Sequence, residues 1–181
     1  MEKTLEQYDK AVDKCRDLFL KKNKDYGTAW RVLRASSLTD QIFIKANRIR
    51  SIEEKGAQKI ADSIEGEYVG IINYGAMALI QLRLNEKDGL ELPYEKVEKL
   101  YKEEMEKTKE LMTAKNHDYG EAWRDMRMSS LTDLILMKIL RIKQIEDNEG
   151  KTLVSEGVEG NYRDIMNYAI FALIKINETA S

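Results

Sequence analysis

"KNKDYGTAW", Lys22 to Trp30, is spelled again 93 residues later as "KNHDYGEAW", Lys115 to Trp123, with two of nine residues changed. At the same offset "RVLRASSLTDQIFIKANRIRSIE" (Arg31 to Glu53) returns as "RDMRMSSLTDLILMKILRIKQIE" (Arg124 to Glu146). Farther on, "IEGEYVGIINYGAMALI" (Ile64 to Ile80) matches "VEGNYRDIMNYAIFALI" (Val158 to Ile174), shifted by one, so the second copy has one extra residue in the preceding loop. Ahead of the motif Tyr8, Val12 and Leu18 align with Tyr101, Met105 and Leu111. A self-similarity of this length decides the fold before any other pattern does. The expected division is a first repeat over 1–84, a linker over 85–93 and a second repeat over 94–181.

Each unit alone buries a thin core, which docking two copies face to face would thicken. With 34% charged residues and one proline in 181, the composition favours helices over strands. A net charge of −2 supplies no electrostatic footprint for duplex nucleic acid. Cys15 is alone and aligns with Thr108, so no disulfide frame arises within the chain, which fits a reducing, cytoplasmic setting. No stretch approaches the roughly 20 apolar residues of a membrane span, and "MEKTLEQYDK" has no apolar signal core. No membrane partner is expected, and self-association of the chain is left open.

Apolar residues at Leu5, Tyr8, Val12, Cys15, Leu18 and Phe19 predict a helix ending at "KNKDYG", where Gly27, like Gly120, supplies a positive φ. A short helix through Trp30 to Ala35 follows. Ser37 with Asp40, and Ser130 with Asp133, then read as N-terminal caps of a long third helix reaching about Glu54 in the first copy. A fourth runs from about Ile64 to Leu84, and Pro93 starts the next copy. The fold class is all-α: a duplicated four-helix unit packed about a pseudo-twofold axis.

Several residues strain a purely structural reading. Lys45 falls in the middle of the stripe Leu38, Ile42, Ile49, Ile52, with Arg48 at its edge, and Lys138 and Arg141 repeat this. A cation on a face that should be buried needs an anion, which is either a helix-four carboxylate or a ligand phosphate. The fourth helix brings Asp62, Glu65 and Asn73, matched by Glu156, Glu159 and Asn167; carboxylates three apart either share a hard cation or line a solvated face. In the opening motif Asp25, Tyr26, Trp30 and Arg31, with Asp118, Tyr119, Trp123 and Arg124, could stack on a base, accept its amino hydrogens and fork onto phosphate. Equally, Tyr and Trp could plug the core and leave the arginines in solvent.

"KNHDYGEAW", the following "SSLTD" with its downstream Lys and Arg, and "DIMNYA" resemble the bacterial and phage domain called nucleotide modification associated domain type 1, which in some bacteria occurs as a tandem pair. The likeness covers both copies and implies an α-helical protein of nucleotide or modified-base metabolism. A more distant likeness is to the all-α nucleoside triphosphate pyrophosphohydrolases of the MazG-like and dimeric dUTPase group, which implies Mg²⁺ held by helix-borne carboxylates. Only Glu156 and Glu159 reproduce that group's E-x-x-E spacing, with Asp164 as the nearest third ligand and Gly70 in its place in copy one.

The expectation is a protein that binds a small nucleotide, with Mg²⁺-dependent pyrophosphohydrolysis at Glu156, Glu159 and Asp164 as its catalytic form. The competing class is a non-catalytic helical interaction or structural module. Because copy one lacks the third carboxylate, copy two is expected to be the better metal site, with Lys138 facing ligand and Lys45 closing an internal ion pair.

Overall fold

The structure, a computed structural model, describes residues 1–55, 62–153 and 157–180. Copy one contributes helices α1 (Glu2–Tyr26), α2 (Ala35–Lys55) and α3 (Asp62–Arg83). Copy two contributes α4 (Tyr94–Tyr119), α5 (Met128–Asp147) and α6 (Val158–Ala180). Of the stripe read from α1, Tyr8, Cys15 and Phe19 lie in the core, Leu5 and Val12 are half-buried, and Leu18 is exposed, its place taken by Ala11. α1 and α4 stop where expected, at Gly27 (φ 60°, ψ −142°) and Gly120 (φ 66°, ψ −152°), a region of backbone space open essentially to glycine.

Two local expectations are corrected. The short second helix is a single 3₁₀ turn in each copy, Ala29–Val32 and Ala122–Asp125. Extended backbone at Leu33 and Met126 then ends the run before it can lengthen. Ser37 and Ser130 do not cap the next helix either. α5 starts at Met128 with Arg127 as cap residue, and in both copies the serine N–H already donates to the arginine carbonyl three residues back, at 3.0 Å. The aspartate of the supposed cap in copy one, Asp40, instead pairs with Lys143 across the molecule at 3.1 Å.

α2 packs on α3 and α5 on α6 within the copies; α3 on α6 and α2 on α5 join them, and α1 and α4 each lie against both α3 and α6. The two halves exchange equivalent hydrogen bonds, as a two-sided symmetric contact requires. Tyr8 donates to Asn167 Oδ1 at 2.7 Å and Tyr101 to Asn73 Oδ1 at 2.8 Å. Asn73 and Asn167 in turn donate to the carbonyls of Cys15 and Thr108, both at 3.1 Å. Thr39 meets Tyr162 at 2.6 Å, and Thr132 meets Tyr68 at 2.8 Å. Burial pushes the Tyr68 and Tyr162 hydroxyls up to about 12 and keeps them protonated. The copies therefore form one helical body with a pseudo-twofold axis.

A titratable group flanks each of those threonines. Burial, with Asp133 beside it, raises the Glu53 carboxyl above its ordinary 4.5, against a lowering hydrogen bond with Thr132. Glu146 is raised in the same way, with Asp40 adding to the effect of burial and a hydrogen bond with Thr39 opposing it. A carboxyl raised by folding favours the folded state fully below its unfolded pKa, and that contribution is lost as pH rises through the folded value. The double variant Glu53→Gln/Glu146→Gln is thus expected to be more stable than the parent at pH 7 and no more stable near pH 4. Urea midpoints at the two pH values check this, and equal midpoints at pH 7 would refute it.

Candidate functional site

The spacing that makes α1 amphipathic also places Phe19, Asn23 and Tyr26 on one face of its last turns. Gly66, Gly70, Asn73 and Met77 do the same along α3. Between these faces, with Trp30 from the 3₁₀ turn and Lys45 from α2, lies a cavity of about 310 Å³. The expected base-stacking and phosphate-binding residues Tyr26, Trp30, Lys45 and Asn73 thus share one wall system in copy one. Phe19 stacks on Tyr101 at 4.6 Å and backs Trp30 at 6.3 Å. Lys45 can lie here because position 70 is glycine: a Cβ there would come within 2.6 Å of Lys45 Cε. The Lys45 ammonium is 3.4 Å from Glu67 and 5.8 Å from the centre of the Tyr74 ring, and Glu67 also accepts from Arg48 at 2.8 Å.

In copy two only the aromatic end of the equivalent space is filled. Met77 is replaced by Phe171, which stacks on Trp123 with centroids 4.3 Å apart and planes 5° from parallel, leaving Trp123 5% exposed. Gly70 is replaced by Asp164, which accepts from Lys138 at 2.9 Å and Lys115 at 2.6 Å. Glu67 is replaced by Asn161. Each copy therefore keeps one carboxylate against its α2 or α5 lysine, one helical turn apart in the two copies. The tighter and more buried pair belongs to Lys138, but both lysines are ion-paired and both line an open space. Lys115, Lys138 and Asp164, the counterparts of Lys22, Lys45 and Gly70, line an open groove of about 720 Å³ together with Arg141.

Other expected ligands stand elsewhere. Arg31 donates to the carbonyls of Gly89 at 3.2 Å and Asn85 at 2.9 Å and to the Gln81 side chain, clasping the end of α3 and the linker. Arg124 does the same job in copy two, donating to Glu178 at 2.9 Å, Thr4 at 2.8 Å and Gln7 at 2.6 Å. Asp25, Asp118 and Tyr119 are exposed at helix ends, outside the cavity walls. Asn167 and Asn73 spend their amides on the symmetric tyrosine contacts described above. Lys22 and Asn23 line the cavity, although the sequence reading passed over both as part of a helix end.

Two of the three expected Mg²⁺ ligands, Asp164 and Glu159, are already paired with cations. Asp164 is held between two ammonium groups, and Glu159 accepts from Arg163 at 2.7 Å, which lowers its carboxyl below the ordinary value. Two carboxylates already neutralised by cations give up the charge that a hard cation needs. Glu156 and the side chain of Asp62 lie outside the described residues, and no group of three or more metal-ligating side chains occurs among the described ones.

Fold and site together define an all-α tandem duplication whose first copy keeps an aromatic-walled cavity and whose second has its tryptophan covered by Phe171 beside an open cationic groove. The description "Nucleotide modification associated domain 1" matches residues 22–82 and again 115–176, more than half of the chain, which belongs to that family. Both matched segments start at the opening motif and run through the helices that build the two pockets. No curated protein and no solved structure matches. No helix among the described residues is long and apolar enough to cross a membrane.

Proposed function

We propose that the first repeat binds a small nucleotide, with the base against Trp30 and Tyr26 and the phosphate at Lys45 and Lys22. The observation that carries this reading is the cavity itself: aromatic rings and a lysine line one concave space in copy one, while in copy two Phe171 stacks on Trp123 and Asp164 engages Lys138, leaving a groove without an open aromatic wall. Aromatic faces stack on any base, and an ammonium whose stem lies along apolar surface is suited to a phosphate at the mouth. The family's link to nucleotide modification agrees with such a ligand.

Calorimetry with nucleosides and nucleoside mono- and triphosphates tests the reading. Trp30→Leu is expected to weaken all of them by about 1–3 kcal/mol, the worth of one stacked base. Lys45→Met is expected to weaken the phosphorylated ligands and leave the nucleosides unchanged. The same incubations with Mg²⁺, read for released pyrophosphate, examine turnover apart from binding. Absence of binding across the panel would favour the helical interaction module instead.

A further inference from the structure

The exchange of Glu67 for Asn161 changes what the cations of the second copy face. In copy one Glu67 pairs with Lys45 at 3.4 Å and with Arg48 at 2.8 Å, so the two α2 cations share one carboxylate. In copy two the carboxylate stands one turn farther along, at Asp164, where its two oxygens take Lys115 at 2.6 Å and Lys138 at 2.9 Å. The Asp164 side chain is 4% exposed, so two ammonium groups are held on the groove from a buried position. Arg141, the counterpart of Arg48, has neutral Asn161 where Arg48 has Glu67, and it makes no hydrogen bond or ion pair among the described residues. The Asn161 amide nitrogen is taken up by the Gly157 carbonyl at 3.0 Å. Lys138, Arg141 and Gln144 follow one another at three-residue spacing along α5, which sets donors on one helical face of the groove.

We propose that this groove binds a chain of two or more linked phosphoryl groups, free or at the end of a nucleotide, without recognising a base. A guanidinium forks onto phosphate oxygens, and ammonium groups act on them as point charges. No base is read, because Phe171 covers Trp123 and no aromatic residue lines the groove. Two linked phosphoryl groups can meet Arg141 and Lys138 together, whereas a single one brings less charge and fewer oxygens. The groove is a different site from the copy-one cavity, and it stands whether or not that cavity takes a nucleotide.

Calorimetry with inorganic pyrophosphate makes the test. The parent is expected to bind one pyrophosphate per chain, and Trp30→Leu/Lys45→Met, which impairs the copy-one cavity, to bind it equally well. Arg141→Gln removes a side chain without a partner, so its urea midpoint should match the parent's while pyrophosphate affinity falls about tenfold or more. Asn161→Glu, which restores the copy-one carboxylate beside Arg141, is expected to weaken binding at least as much. In the Trp30→Leu/Lys45→Met protein, AMP is expected to bind tenfold or more weakly than pyrophosphate. ADP binding there as pyrophosphate does supports the end of a nucleotide as the ligand, and exclusion of ADP supports the free chain. Absence of pyrophosphate binding by the parent, or undiminished binding by Arg141→Gln, overturns the proposal. Loss of pyrophosphate binding in Trp30→Leu/Lys45→Met overturns it too, by moving the site to copy one, and leaves the nucleotide reading of that cavity standing.

Discussion

Arg163→Met is expected to cost the fold about 3–5 kcal/mol, the usual consequence of stranding one member of a buried ion pair. Arg163 and Glu104 are both buried. The guanidinium donates to the Glu104 carbonyl and to Thr108 Oγ1, both at 3.1 Å, and to the Glu104 carboxylate at 3.3 and 3.4 Å. Removing it leaves that carboxylate with Arg83 and Lys107, each 3.9 Å away. Copy one shows that the pair is dispensable to the architecture, because the aligned positions are Val69 and Ala11, both in the core. The double variant Glu104→Leu/Arg163→Met should therefore recover most of the loss, since a well-packed apolar pair often equals or exceeds a buried ionic one. Urea denaturation with an unchanged m-value measures both effects. A single variant within about 1 kcal/mol of the parent, or a double variant no better than the single, would show that Glu104 is not held by Arg163 in this way.

Much of this fold is written in local periodicity. The α1 stripe, the glycine stops at Gly27 and Gly120 and the Leu38, Ile42, Ile49 stripe of α2 follow from spacing alone, because each depends on residues within a few turns. The duplication adds the pseudo-twofold, since two similar apolar faces cover one another most simply in a symmetric way. The serine caps failed because both helices begin before the serine, at Ala35 and Met128, where its N–H already donates to an arginine carbonyl.

The site was legible as a set of residue types and illegible as a set of partners. Trp30, Tyr26, Lys45 and Asn73 do converge, yet Arg31 and Arg124 take carbonyls and side chains at helix ends, acceptors that no motif announces. Gly70 against Asp164 stood out as the difference between the copies, but a carboxylate in a sequence does not say what it faces. Its partners Lys138 and Lys115 lie 26 and 49 positions away. The compensating change of Glu67 to Asn161 becomes meaningful only when α2 and α3 are seen side by side.

Carrying the second repeat's residues into the first should close its pocket. Gly70→Asp/Met77→Phe is expected to reduce nucleoside monophosphate affinity by a hundredfold or more, about 2.7 kcal/mol, since it removes the space for the base and engages the phosphate-binding lysine together. At position 70 the new Cβ would displace the Lys45 stem from its present path, and the carboxylate then offers the ammonium the partner that Asp164 offers Lys138. At position 77 the phenyl ring can lie on Trp30 as Phe171 lies on Trp123, so the loss of the cavity is accompanied by a stacking contact and the fold should hold. The reverse exchange, Asn161→Glu/Asp164→Gly/Phe171→Met, moves the carboxylate back by one turn and uncovers Trp123. Calorimetric stoichiometry is then expected to rise from one nucleoside monophosphate per chain to two. A parent that already binds two, or a Gly70→Asp/Met77→Phe protein that binds as the parent does, would mean that the contrast between an open and a covered tryptophan is not what decides binding.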